Sequence, residues 1–231
     1  MSVTFKRATL SNGLNIIAEI DDSAHTAAMG FFVKTGARDE ATAVMGVSHF
    51  LEHMMFKGTP GRDGKPARSA EDVDRDFDDI GAEHNAFTSA EMTAFWCHCL
   101  PEYLDKAEDV LSDILRPALR TNDFDAEKKV ILEEIAMYAD NPFWVLYEKL
   151  MEAYYGTHPL SHRVLGTVES INSLKRDEML RYFENRYSAD NTVVALAGRM
   201  DFDEVVRRIE MHCGSWQRTN PAARIQRIAR N

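Results

Sequence analysis

Cysteine is scarce in this chain. There are three in 231 residues, Cys97, Cys99 and Cys213. A sparse, odd set builds no disulfide framework. Cys97 and Cys99 lack Cys-x-x-Cys spacing, share one face of a strand-like run and read as small apolar fillers. Long hydrophobic runs are missing as well. No stretch approaches the roughly eighteen uninterrupted apolar residues of a membrane span, which predicts no membrane partner. The N-terminal residues Met1-Ser2-Val3-Thr4-Phe5-Lys6-Arg7 have neither the basic-then-apolar order of a signal peptide nor the Arg- and Ser-rich composition of a presequence. That predicts a cytoplasmic location. Positive charge is in deficit, with 27 Lys and Arg against 37 Asp and Glu and a formal net charge of -10. A nucleic-acid binder needs a basic stripe, so nucleic acid is excluded as a partner, and basic or neutral ligands fit better. There is no internal repeat and no low-complexity tract.

What is present is a chain long enough for one large domain or two small ones, with 45% apolar residues. Thr4 to Leu10 and Leu14 to Ile20 read as strands joined at Ser11-Asn12-Gly13, where Asn-Gly is a strong hairpin signal. A third strand, about His25 to Lys34, is apolar on both faces, as a central strand should be. Gly58 closes a helix that follows the loop Thr35 to Glu40. Pro60 to Pro66 is a breaker-rich exposed loop. Ser69 caps a helix carrying Val73, Phe77 and Ile80, ended by Gly81. Glu83 to Thr88 and Glu91 to Leu100 form a strand pair. Helices are expected over Tyr103 to Leu115, Asp123 to Tyr138, Phe143 to Tyr155, Leu174 to Tyr187 and Asp203 to His212, with a late buried strand from Thr192 to Ala197. This order predicts an α+β fold, a mostly antiparallel sheet covered by helices. The expected domain runs over residues 1–217, and 218–231 form a basic polar tail.

The chemistry concentrates in Ser48-His49-Phe50-Leu51-Glu52-His53-Met54-Met55-Phe56. On a helix, His49 and His53 lie one above the other, and Glu52 is near enough to reach a water on a metal that they share. Apolar residues on nearly every side make this helix a buried one. Two imidazoles and a carboxylate are costly to bury alone, and a divalent cation offsets that cost. The bland alternative is a pair of satisfied core histidines. His-x-x-Glu-His is the order of the inverzincin signature, the reverse of the common zinc motif. In the helix from Phe124 to Tyr138, Glu127 and Glu134 fall on the apolar stripe with Phe124, Ile131, Ile135 and Tyr138, while Glu133 points away. A carboxylate on a buried face needs a cation or a proton, which favours Glu134 as a third ligand and Glu127 as a second acid nearby. The alternative is a frayed stripe edge with salt bridges to Lys128 and Lys129. His84, His98, His158 and His162 lack ligand partners at helical spacing and are expected to bind no catalytic metal. His158 to His162 reads as a surface loop near the cleft.

Taken together, His49 to Thr59, Asn85-Ala86-Phe87-Thr88, and Glu127 with Val130-Ile131-Leu132-Glu133-Glu134 resemble the pitrilysin-type zinc peptidases, a group that includes the mitochondrial processing peptidase β-subunit and bacterial relatives. The similarity runs over nearly the whole chain. It implies a processing-peptidase-like metallohydrolase half with Zn2+ on His49, His53 and Glu134, Glu52 as the base, and Glu127 as an acid that assists activity. Asn85, Ala86, Phe87 and Thr88 match an edge strand to which peptide substrates add. Family members pair this domain with a similar second one lacking the metal motif. The implied partners are therefore a peptide substrate and a second peptidase-like domain or chain, in a homo- or hetero-oligomer. The spacing from His53 to Glu134 is a few residues longer than the family pattern, an excess that the Pro60 to Pro66 loop absorbs. The implied activity is zinc-dependent endopeptidase. The rivals are a non-catalytic scaffolding subunit and an S-ribosylhomocysteine-type lyase, which would recruit Cys97, Cys99 or Cys213 as a ligand.

Overall fold

The computed structural model describes residues 3–61 and 64–224. Arg62 and Asp63 of the expected loop, and 225–231 of the expected tail, lie outside the described residues. Among the described residues six strands form one sheet: β1 (Thr4–Thr9), β2 (Asn15–Ile20), β3 (Ala27–Val33), β4 (Glu83–Thr88), β5 (Thr93–Cys99) and β6 (Thr192–Gly198), in the order β1-β2-β6-β3-β5-β4. Every pairing is antiparallel except β2 with β6. The expected α+β sheet is therefore present, with one parallel contact made by the late strand.

Local chemistry sets the register. Gly13, at φ +90°, turns the β1–β2 hairpin, a conformation that costs a residue without Cβ little. The Asn12 side chain accepts from Leu14 N and donates to Cys213 O at 2.8 Å. Alternation in β2 buries Ile16, Ala18 and Ile20 and leaves Asn15, Ile17 and Glu19 outside. Ile16, Val194, Phe31, Phe95 and Ala86 then stand in one row across five strands. This row faces the helices, and each fully buried Phe in it contributes about 1.5–3 kcal/mol.

Among the described residues there are eight α-helices: α1 (Val47–Met55), α2 (Ala70–Asp78), α3 (Leu104–Ile114), α4 (Thr121–Ala139), α5 (Pro142–Tyr155), α6 (Val168–Ser173), α7 (Arg176–Arg186) and α8 (Phe202–Cys213). α3 lies on β3 and β5 and against α8, whereas α1 lies on β4 and β5 and against α4 and α7. Ser69 caps α2 as expected, in a reciprocal box with Asp72. No helix of the described residues is long and apolar enough to cross a membrane.

Two expectations need correction. The helix expected from Leu174 starts at Arg176, and Leu174 is extended because a separate short helix ends before it. Thr167 begins that helix by accepting from Ser170 N, and Glu178 accepts from Lys175 N to open the next. His158 is not on a surface loop: it is buried, and its Nδ1 accepts from Leu160 N at 3.2 Å to open a short turn at Pro159–Ser161. In the described part of the tail, Thr219 N and Asn220 N donate to Asp190, and Arg224 pairs with Asp39 at 2.6 Å.

Candidate metal centre

Helix α1 is short, and Val47, Phe50, Leu51, Met54 and Met55 are all buried, which fixes its rotation. One turn apart on it, the rings of His49 and His53 have centroids 4.7 Å apart. Helix α4 crosses this pair. Phe50 stacks on Phe124 with centroids 4.7 Å apart. The Arg120 guanidinium, just before α4, donates to Lys57 O at 2.9 Å, Arg68 O at 3.2 Å and Thr59 O at 3.3 Å, tying the start of α4 to the loop that leaves α1.

That crossing brings Glu134 to the histidines. Its Oε2 lies 3.6 Å from His49 Nε2 and 3.7 Å from His53 Nε2. One ligand atom from each of the three lies within 4.8 Å of the others, and this is the one such group among the described residues. Ligands about 2.0–2.2 Å from a tetrahedral zinc are separated by distances of this size. None of the three buried cysteines joins the group. His84 stacks on Phe77 with centroids 4.0 Å apart, and His162 donates to Ala37 O at 3.0 Å, so both have structural employment. Glu133 is exposed, as its place on the helix requires.

The electrostatics fit a cation. Burial, then the neighbouring His53, holds His49 down to about 3, so its ring is neutral and able to donate a lone pair. Burial draws His53 down too, but the bond to Glu127 and the charge of Glu134 outweigh it and raise the ring. Burial raises Glu134, and repulsion from Glu127 adds to the effect against the pull of His53. A carboxylate resisting ionisation between two imidazoles is the arrangement a divalent cation relieves. His49 Nδ1 is buried with no hydrogen-bond partner among the described residues, whereas His53 Nδ1 meets Glu127 Oε1 at 2.8 Å. Lys57 Nζ sits 2.6 Å from the other Glu127 oxygen.

Glu52 projects from α1 toward the sheet edge, where Thr88 Oγ1 donates to its Oε2. Burial raises this carboxyl despite that bond. Thr88 belongs to β4, the end strand of the sheet, with Asn85, Ala86 and Phe87 before it. The outer edge of β4 pairs with no strand among the described residues. Sequence reasoning missed Lys57 and Glu40. Lys57 sits four residues after His53, a helical spacing that marks it as a neighbour. Glu40 lies in a loop without periodicity, where no local signal points to it.

Residues 15–168 match the family model described as insulinase (peptidase family M16), and residues 173–231 match that of the M16 inactive domain. A Mycobacterium tuberculosis protein named an uncharacterised zinc protease is 37% identical over 211 residues, 91% of this chain and 47% of that protein. The Bacillus subtilis protein YmxG, also named an uncharacterised zinc protease, is 35% identical over 223 residues, 96% of this chain and 53% of that one. A Helicobacter pylori protease structure superimposes with a TM-score of 0.88 at 22% identity, over 97% of this chain and 53% of that one. A Pseudomonas fluorescens M16 inactive-domain structure gives 0.87 at 17% identity, over 98% and 54%. Both structures share the fold. This chain thus spans about half the length of the relatives it matches. The two family matches meet inside one sheet, because β6 from the second lies between β2 and β3 from the first. With its metal-type cluster built on the matched motif, the chain belongs to the insulinase (M16) peptidase family.

Proposed function

We propose that this chain is the catalytic half of a zinc-dependent endopeptidase, with residues 1–217 as the catalytic domain. The observation that carries the reading is the convergence of His49, His53 and Glu134 beside a base tied to an edge strand. Zinc bound by those three would lower the pKa of a water and polarise a scissile carbonyl. Glu52 takes a proton at its carboxylate and returns it to the leaving amine. Thr88 holds the Glu52 carboxylate in place, and Glu127 fixes the ring of His53 through Nδ1. A peptide adds to the outer edge of β4 along Asn85, Ala86, Phe87 and Thr88, where main-chain pairing supplies affinity. The scaffolding alternative draws on the inactive-domain match, whereas the catalytic reading draws on Glu52, Glu127 and the three candidate ligands, which lie before residue 173.

The partner is a second peptidase-like half, fused or separate. Helix α5 supports this, since none of its 14 residues is buried. Phe143, Tyr147, Leu150 and Tyr154 form one stripe on it, 46% to 68% exposed. With Leu146 and Met137 they offer on the order of 600 Å² of apolar surface, at the upper end of what a lone soluble domain usually leaves open and somewhat below one side of a standard interface.

The test is metal content and turnover on peptides. One zinc per chain after reconstitution, hydrolysis abolished by a chelator, and a Glu52→Gln protein that keeps zinc but loses about 10²–10⁴ in kcat are expected. A chain that takes up no zinc would falsify the assignment.

A further inference from the structure

Glu40 is buried and takes no part in the chemistry above. Its neighbour Asp39 pairs with Arg186 and Arg224, but Glu40 has no Lys or Arg partner among the described residues. Instead its two oxygens divide between the backbone: Oε2 accepts from Gly46 N at 2.7 Å and Oε1 from Ser48 N at 2.8 Å. Those amides open helix α1, and Ser48 immediately precedes His49.

A helix ordinarily takes its cap from the residue at its start. Here that position cannot carry one. Gly46 has φ +91°, and a Cβ on it would meet Leu165 O at 2.6 Å and the Gly166 Cα at 2.9 Å. The close approach of the 165–166 loop forces glycine at the cap, so the acceptor comes from six residues upstream. Beyond it, Ser48 Oγ and Thr35 Oγ1 both bond Tyr182 Oη at 2.7 Å, fastening the same turn to α7. Burial pushes the Glu40 carboxyl up to about 8, while the Ser48 and Gly46 amides oppose this by favouring the charged form. The positive end of α1 is the compensation that a carboxylate finds there.

We propose that Glu40 is a positioning residue for the metal: by clamping the first turn of α1 it sets the height and rotation of His49 against Glu134. This rests on the zinc reading above. A metal site tolerates only about 0.5 Å of error in its ligands, and partners one step behind the ligands commonly govern affinity by 10–100-fold. Among the described residues His49 has no hydrogen-bond partner at Nδ1 to hold its ring, so its placement depends on the helix start to a degree that His53, held by Glu127, escapes.

The experiment measures the zinc Kd of the full chain by chelator competition, the visible spectrum of the cobalt-substituted protein and the melting temperature of the metal-free form. Glu40→Gln sets an amide donor against a backbone donor, and its Kd is expected to weaken 10–100-fold with a changed cobalt spectrum. Glu40→Asp keeps the carboxyl group but falls short of both amides, and a smaller loss is expected. Glu108→Gln, a buried acid on α3 paired with Arg208 of α8, is the stability control and should melt earlier with an unaltered Kd. A folded Glu40→Gln protein with wild-type Kd and spectrum overturns the proposal, whatever its melting temperature. A control that loses zinc affinity in step with its stability overturns it too. If Glu40→Gln does not fold, Glu40→Asp decides, and a Kd equal to wild type overturns the proposal. A wild-type protein that takes up no zinc defeats the metal reading itself, an outcome distinct from these.

Discussion

Glu127 Oε1 approaches His53 Nδ1 at 2.8 Å, while Glu134 approaches the opposite ring nitrogen, Nε2. The first contact leaves the lone pair of the imidazole directed at the second. On the zinc reading proposed above, Glu127 acts through His53. Glu127→Gln is expected to weaken zinc binding by about 10–100-fold with the fold intact, as read by chelator competition. An unaltered Kd would leave Glu127 as a buried acid whose role is its pairing with Lys57.

Thr88 joins the edge strand to the proposed base. Thr88→Val removes the hydroxyl that donates to Glu52 and preserves the shape and strand preference of the side chain. The expected result is full zinc occupancy with kcat reduced about tenfold, on the order of one hydrogen bond to a charged group. A drop in zinc content instead would place Thr88 in the support of the ligands.

Acid should weaken the metal-free protein through His49. Its imidazole is held at about 3 in the folded chain against an ordinary value of 6.5, so the unfolded chain binds the proton first. The contribution to stability is whole above about 6.5 and is lost as pH falls from there toward 3. His53, whose pKa is raised, contributes with the opposite sign. The difference in urea midpoint between wild type and His49→Ala isolates the effect. That difference should shift against wild type on acidification from pH 7 to 5, and a constant difference would contradict the burial of a neutral ring.

Away from the site, Arg208 Nε meets the fully buried carboxylate of Glu108. Arg208→Met leaves that acid without its cation and should cost about 3–5 kcal/mol in urea unfolding. Adding Glu108→Leu should restore most of the loss. If the double variant is as unstable as the single one, the guanidinium stem rather than its charge holds α8 to α3.

Both histidines were legible because helical spacing and a surrounding of Val47, Phe50, Leu51, Met54 and Met55 are local properties of the chain. Glu134 was legible through its stripe, although that stripe thins toward the C-terminal half of α4, where Ile135 and Tyr138 are only half-buried and Met137 is exposed. The candidate ligand Glu134 therefore stands at the rim of the core, half-buried. What could not be read were side-chain contacts that no periodic pattern announces. Glu40 reaches α1 from a loop, Thr88 reaches Glu52 across a strand, and Thr167 starts a helix too short to show a period. Each depends on how elements meet, which hydrophobic patterning does not encode.

The place of β6 bears on how this protein is made. Every proposed ligand has been translated once residue 134 is complete, yet β2 and β3 each lack a neighbour until Thr192–Gly198 arrives between them. Before then a nascent chain exposes two unpaired apolar edges, a state prone to wrong pairing. Closing that central gap joins residues more than 150 positions apart, such as Ile16 and Val194, the kind of distant pairing that slows folding. The strand that closes the sheet is therefore the last of its six to be made, long after the candidate ligands.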